Sequence, residues 1–136
     1  MSPIATIAVS GMKAASQRLE VSASNVANAM STGALPNADG TLPAGAPKAY
    51  DPLQLVQSDV AGGGTQATIT KASQGTSASY QPSAPFANKD GLVAAPNVDL
   101  AEEMISQLVA KYSFAANAKV LKASDEMSRV VIDMKV

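Results

Sequence analysis

The sequence predicts a mainly α protein: two long terminal helices packed as a coiled-coil-like pair, joined by a loop-rich region able to form a small β-hairpin. Residues 97–136 contain neither Gly nor Pro, so nothing interrupts a helix there. The first thirty residues carry apolar side chains at alternating steps of three and four. Seven of the eight prolines and eight of the nine glycines fall within residues 31–97. The expected division is therefore an N-terminal helix in 1–30, a Pro/Gly-rich connection with short strands in 31–97, and a C-terminal helix in 98–136.

Ser2 followed by Pro3 suits a helix start, with a hydroxyl cap and then proline at the first helical position. The stripe that follows is Ala5, Ala8, Met12, Ala15, Leu19, Ser22, Val26, Ala29, a heptad spacing. Gly11 interrupts it. Either the helix kinks or tolerates a defect of about 1 kcal/mol, or another helix approaches closely there.

In the middle, Leu53-Gln54-Leu55 and Ala67-Thr68-Ile69-Thr70 alternate as short strands on either side of Gly62-Gly63-Gly64. Tyr80 to Pro96 reads as mostly extended, with a turn at Asn88-Lys89-Asp90-Gly91. This region is either a small β element clipped onto the helices or partly disordered in isolation.

The second helix begins with a capping pair, Asp99 and Glu102, and Glu103 adds negative charge at the positive end of the helix dipole. Its stripe is Ala101, Ile105, Leu108, Tyr112, Ala116, Val120, Ala123, Met127, Val130, Met134, about 3.67 residues per turn, nearer an eleven-residue repeat than a heptad. A helix of about 35 residues spans roughly 50 Å, longer than the roughly 37 Å diameter of a compact chain of this size. The molecule is elongated or the helix bends.

Composition limits the chemistry. The chain is 46% hydrophobic but has only 3 Tyr and 2 Phe, so much of that total is alanine, which buries little area. The simplest arrangement sets the two stripes against each other. Two helices alone leave much of each stripe wet, so helices from other subunits are expected to complete the layer. Net charge is −1 and the basic residues are scattered, which gives no surface for nucleic acid. There is no Cys and no His, hence no thiol chemistry and no common general base or transition-metal ligand.

Gly62-Gly63-Gly64-Thr65 lacks the Lys-Ser/Thr of a phosphate loop. Asp39, Asp51, Asp59 and Asp90 lack the order of a calcium loop. No serine stands in a nucleophile elbow. An enzyme is not expected, nor a cofactor, metal or small-molecule substrate. The N-terminus lacks the basic start and cleavage pattern of a secretory signal.

Gly11-Met12, Arg18-Leu19, Val21 and Ser24-Asn25-Val26-Ala27-Asn28 resemble the N-terminal signature of the bacterial flagellar axial proteins, which include rod and hook subunits. Tyr80-Gln81-Pro82, Pro85, Gly91, Val93, Pro96-Asn97-Val98-Asp99, Glu103-Met104 and Ala116-Asn117 resemble the proximal-rod class of the flagellar basal body, the FlgC type. The resemblance implies a self-assembling structural subunit, needed for motility and exported unfolded by the flagellar type III apparatus without a cleaved signal. Its terminal helices would form the axial core of a rod crossing the periplasm, with other rod subunits and the membrane-embedded ring as partners.

The residues expected at the assembly interface are Met12, Leu19, Asn25, Val26 and Asn28 on the first helix. On the second they are Met104, Ile105, Leu108, Tyr112, Asn117, Val120 and Met127. The three asparagines are expected to make polar contacts within or between helices. The competing reading is a soluble helical adaptor or export-related protein that lays one helix in a partner's groove.

Overall fold

The computed structural model describes residues 3–134. Helix α1 spans Pro3–Asn28 and helix α2 spans Leu100–Asp133. Between them lie four strands: β1 (Leu53–Asp59), β2 (Thr65–Lys71), β3 (Thr76–Tyr80) and β4 (Leu92–Pro96). They form two separate antiparallel pairs, β1 with β2 and β3 with β4. The expected cap at Ser2 and the last two residues of the expected second helix lie outside the described residues. No helix among the described residues is long and apolar enough to cross a membrane.

Asp99 starts α2 as the sequence suggested. Its carboxylate accepts from the backbone N–H of Ala101 at 2.8 Å and of Glu102 at 3.2 Å, satisfying two of the donors a helix N-terminus leaves open. The expected hairpin forms with Leu53 opposite Lys71 and Asp59 opposite Thr65. Its tip is closed by Gly62, Gly63 and Gly64, all with φ between +97° and +99°, a region other residues rarely enter.

The second hairpin was not expected. Thr76 pairs with Pro96 and Tyr80 with Leu92, and β4 holds the fully buried Val93 together with Ala94. Gly33 extends this pair, exchanging both backbone hydrogen bonds with Ala94. A side chain at Gly33 would run into the backbone of Lys48 and Ala49, so only glycine fits between β4 and the 47–50 segment.

The helices run antiparallel: Ser22 lies beside Glu103, and Gly11 beside Asn117. Their seam differs from the expected one. The two apolar stripes do not bury each other. On α1, Ala8, Ala15 and Ser22 are buried, as the heptad reading placed them. On α2 the covered positions are Ala110 and Ser124, with Glu103 and Asn117 half-buried, while Ile105, Leu108, Tyr112, Val120, Met127 and Val130 face outward. Small side chains let the two backbones come close, and the bulky stripe of α2 would have held them apart.

Candidate assembly surface

Helix α1 is held on two flanks. Along one of them lies the β1–β2 hairpin, fastened at both ends. Ser10 Oγ accepts from the Thr65 N–H at 3.1 Å and donates to the Ile7 carbonyl at 2.7 Å. Fifteen residues on, Asn25 reaches Leu53. That interval is about 22 Å of helix, close to the roughly 20 Å length of a seven-residue strand. The two clamps engage opposite outer edges of the hairpin, where backbone groups would otherwise be open to pairing with another chain.

Asn25 is buried and uses its whole carboxamide. Its Oδ1 accepts from Leu53 N at 2.8 Å and from Tyr50 Oη at 3.0 Å. Its Nδ2 donates to the Leu53 carbonyl at 2.8 Å and to Glu103 Oε1 at 2.6 Å. Tyr50 gives its one proton to Asn25, so Ser24 Oγ is the donor in the 2.9 Å bond to Tyr50 Oη. Ser22 Oγ donates to the Glu103 carbonyl at 2.9 Å. One polar node thus joins α1, α2, β1 and the segment before β1.

Of the other expected interface residues, Asn28 turns back on its own helix. It donates to the Ser24 carbonyl at 2.9 Å and accepts from Ser31 Oγ at 3.2 Å. Asn117 donates to the Ser113 carbonyl at 2.8 Å, with its carboxamide filling the notch at Gly11. The close-approach reading of Gly11 is the one the fold realises. Met12 is half-buried, and Leu19 and Val26 are exposed.

Met104, Ile105, Leu108, Tyr112, Val120 and Met127 are all exposed on α2; Leu108 is 53% and Tyr112 68% accessible. Full burial of such a side chain is worth about 1.5–3 kcal/mol. Six of them left about half open forgo an amount comparable with the lower end of a domain's net stability, about 5 kcal/mol.

Of the inward face of α2, sequence reasoning named Asn117 but not the pattern it belongs to. Its signal was a seven-residue spacing of small or polar residues, Glu103, Ala110, Asn117, Ser124, mirrored by Ala8, Ala15, Ser22 on α1. It also missed Tyr50 and Leu53, which lie in the connecting region. Among the described residues no cluster of acidic side chains is arranged to hold a metal.

An elongated antiparallel helix pair, bare along α2 and carrying small sheets in its connection, defines a structural subunit of a larger assembly. Comparison with known families agrees. Residues 6–34 match the model described as flagella basal body rod protein, and residues 89–134 match the C-terminal model of the flagellar basal body rod FlgEFG proteins. The chain is 37% identical over 127 residues to the flagellar basal-body rod protein FlgC of Salmonella typhimurium, covering 89% of this chain and 87% of that one. It is 35% identical over 121 residues to FlgC of Escherichia coli O157:H7, with the same coverage. It is 30% identical over 141 residues to FlgC of Agrobacterium fabrum, covering 98% of this chain and 94% of the relative. The chain belongs to the FlgC family of flagellar basal-body rod proteins.

Proposed function

We propose that this chain is a structural subunit of the proximal rod of the bacterial flagellum and that motility requires it. The observation that carries the reading is the outward apolar face of α2, from Met104 to Val130, on a chain whose helix pair is already closed by other residues. A surface of that length and character on a family member described as a rod protein is a surface for neighbouring subunits.

In this reading residues 1–30 and 98–136 form the axial core, paired in a coiled-coil-like manner on their seven-residue spacing of small side chains. Residues 31–97 decorate its outside. The exposed positions among Leu19, Val26, Met104, Ile105, Leu108, Tyr112, Val120 and Met127 contact other rod subunits. Asn25, Asn28 and Asn117 act within the subunit to fix the shape that is presented. The rod crosses the periplasm from the membrane-embedded ring, and the chain reaches it through the type III route without a cleaved signal.

Electron microscopy of basal bodies from a strain deleted for this chain tests the reading. The expected result is a basal body lacking its proximal rod and a non-motile cell. A complete rod in that strain overturns it.

A further inference from the structure

Helix α2 outruns its partner. Gly11 lies opposite Asn117, so in an antiparallel pair Pro3 falls opposite about residue 125, and Ser124 is the last buried position on α2. The turns beyond it hold Met127, Val130, Val131 and Met134 on one face, each more than half exposed. Glu126 and Asp133, seven residues apart, flank that face on one side.

Elsewhere on the molecule an apolar groove of about 320 Å³ opens between the helices, on the flank away from the hairpin. Ala15, Leu19, Ala110 and Phe114 line it, with Ser16 and Lys111 also in its wall. Among the described residues neither Lys111 nor Asp133 has an ion-pair partner.

We infer that the free C-terminal turns of α2 in one copy seat in the Ala15–Leu19–Phe114 groove of a second copy, with Asp133 against Lys111. The inference rests on the rod reading and names the partner of that surface. Apolar face meets apolar groove, and a carboxylate meets an ammonium, neither of them ion-paired among the described residues. A helix cannot place its end in its own groove, because residues 112 and 130 are about 27 Å apart along one axis. The occupant therefore comes from another copy. Groove and end are different patches of the same molecule, so the contact is head-to-tail and propagates.

The chain has no cysteine, so introduced thiols report cleanly. Full-length Ser16→Cys and Val131→Cys proteins, both altered at exposed positions, are mixed in equal amounts under copper–phenanthroline oxidation. The expected product is the mixed dimer, in excess over the statistical share of the two symmetric dimers. Lys111→Glu in the first protein should abolish that excess, and Asp133→Lys in the second should restore it. Dimers in statistical proportion, or an excess indifferent to both charge reversals, overturn the inference. The same two variants co-expressed in cells separate the two levels of the argument. Complete rods without a bond between the introduced thiols refute the seat alone, whereas complete rods in the deletion strain refute the rod reading.

Discussion

The carboxamide of Asn25 pairs with Leu53 as a neighbouring strand would. It accepts from the Leu53 N–H and donates to the Leu53 carbonyl, both at 2.8 Å. A helix side chain thereby closes the end of the free edge of β1, and the hairpin's position on α1 is set by backbone groups that every sequence possesses. Asn25→Ala would leave those groups, Tyr50 Oη and Glu103 without their partner. The expected cost is about 1–3 kcal/mol, read as a lower urea midpoint. Amide exchange at Leu53 should accelerate with it, and unchanged exchange there would show that the clamp does not hold the hairpin.

Gly11 and Asn117 form a notch and its filling. A Cβ at Gly11 would lie 2.5 Å from Asn117 Oδ1. Gly11→Ala is therefore expected to lower stability, although alanine gains about 1 kcal/mol of helix propensity over glycine. With Asn117→Ala in the same chain the clash disappears and the propensity gain remains. The double variant should exceed the Asn117→Ala single variant in thermal midpoint, a non-additivity that a double-mutant cycle measures directly.

Gly33 has no such escape. Its added Cβ meets main chain, including the Pro47 carbonyl oxygen at 2.6 Å, and main chain cannot rotate away. Gly33→Ala should cost about 1–3 kcal/mol as an overpacked position. The loss should show first in the exchange of the Ala94 and Tyr50 amides, whose acceptors are Gly33 and Ser31. A variant as stable as the parent would mean the 47–50 segment simply shifts.

Asp51 ties the connecting region together, with Lys48 at 2.7 Å and Lys71 at 2.8 Å. The hydrogen bond from Lys48, then that from Lys71, holds the Asp51 carboxyl below its ordinary value of 3.8. Asp51 in turn raises Lys71 above 10.5. The depressed carboxyl contributes stability that is complete above about pH 4 and lost as pH falls through its folded value. The raised ammonium contributes stability that is complete below about pH 10 and lost as pH climbs through its folded value. Both ion pairs are solvent-screened, so the effect is small. Followed from pH 5 down to pH 2, urea midpoints should fall more steeply for the parent than for Asp51→Asn.

Leu108 projects from the outward face of α2, one turn past Met104, and makes no part of the helix seam. Leu108→Asp should leave the monomer's unfolding free energy within about 0.5 kcal/mol of the parent. The same change should abolish swimming and remove the rod from isolated basal bodies. A swimming strain with normal rods would take this face out of the assembly.

Much of the local structure could be read from residue order. Asp99 announces the start of α2 because a short carboxylate outside the first turn satisfies open N–H groups in any context. The three glycines at 62–64 announce a hairpin tip because few other residues adopt those angles. The β3–β4 pair was hidden: Tyr80 to Pro96 is rich in proline and small residues, and the far side of β4 is closed by Gly33 against Ala94, about sixty residues away in sequence.

What the sequence determined by itself is periodicity, capping and breaks, since these are properties of a chain and its nearest neighbours. It also contained both stripes of α2, the bulky one and the small polar one. Only the tertiary structure decided which of them turns inward. Two helices close against each other where their side chains are short enough for a carboxamide to fill a glycine notch and a serine to reach a facing carbonyl. That choice is made between segments about eighty to a hundred residues apart, and it leaves the larger apolar surface on the outside.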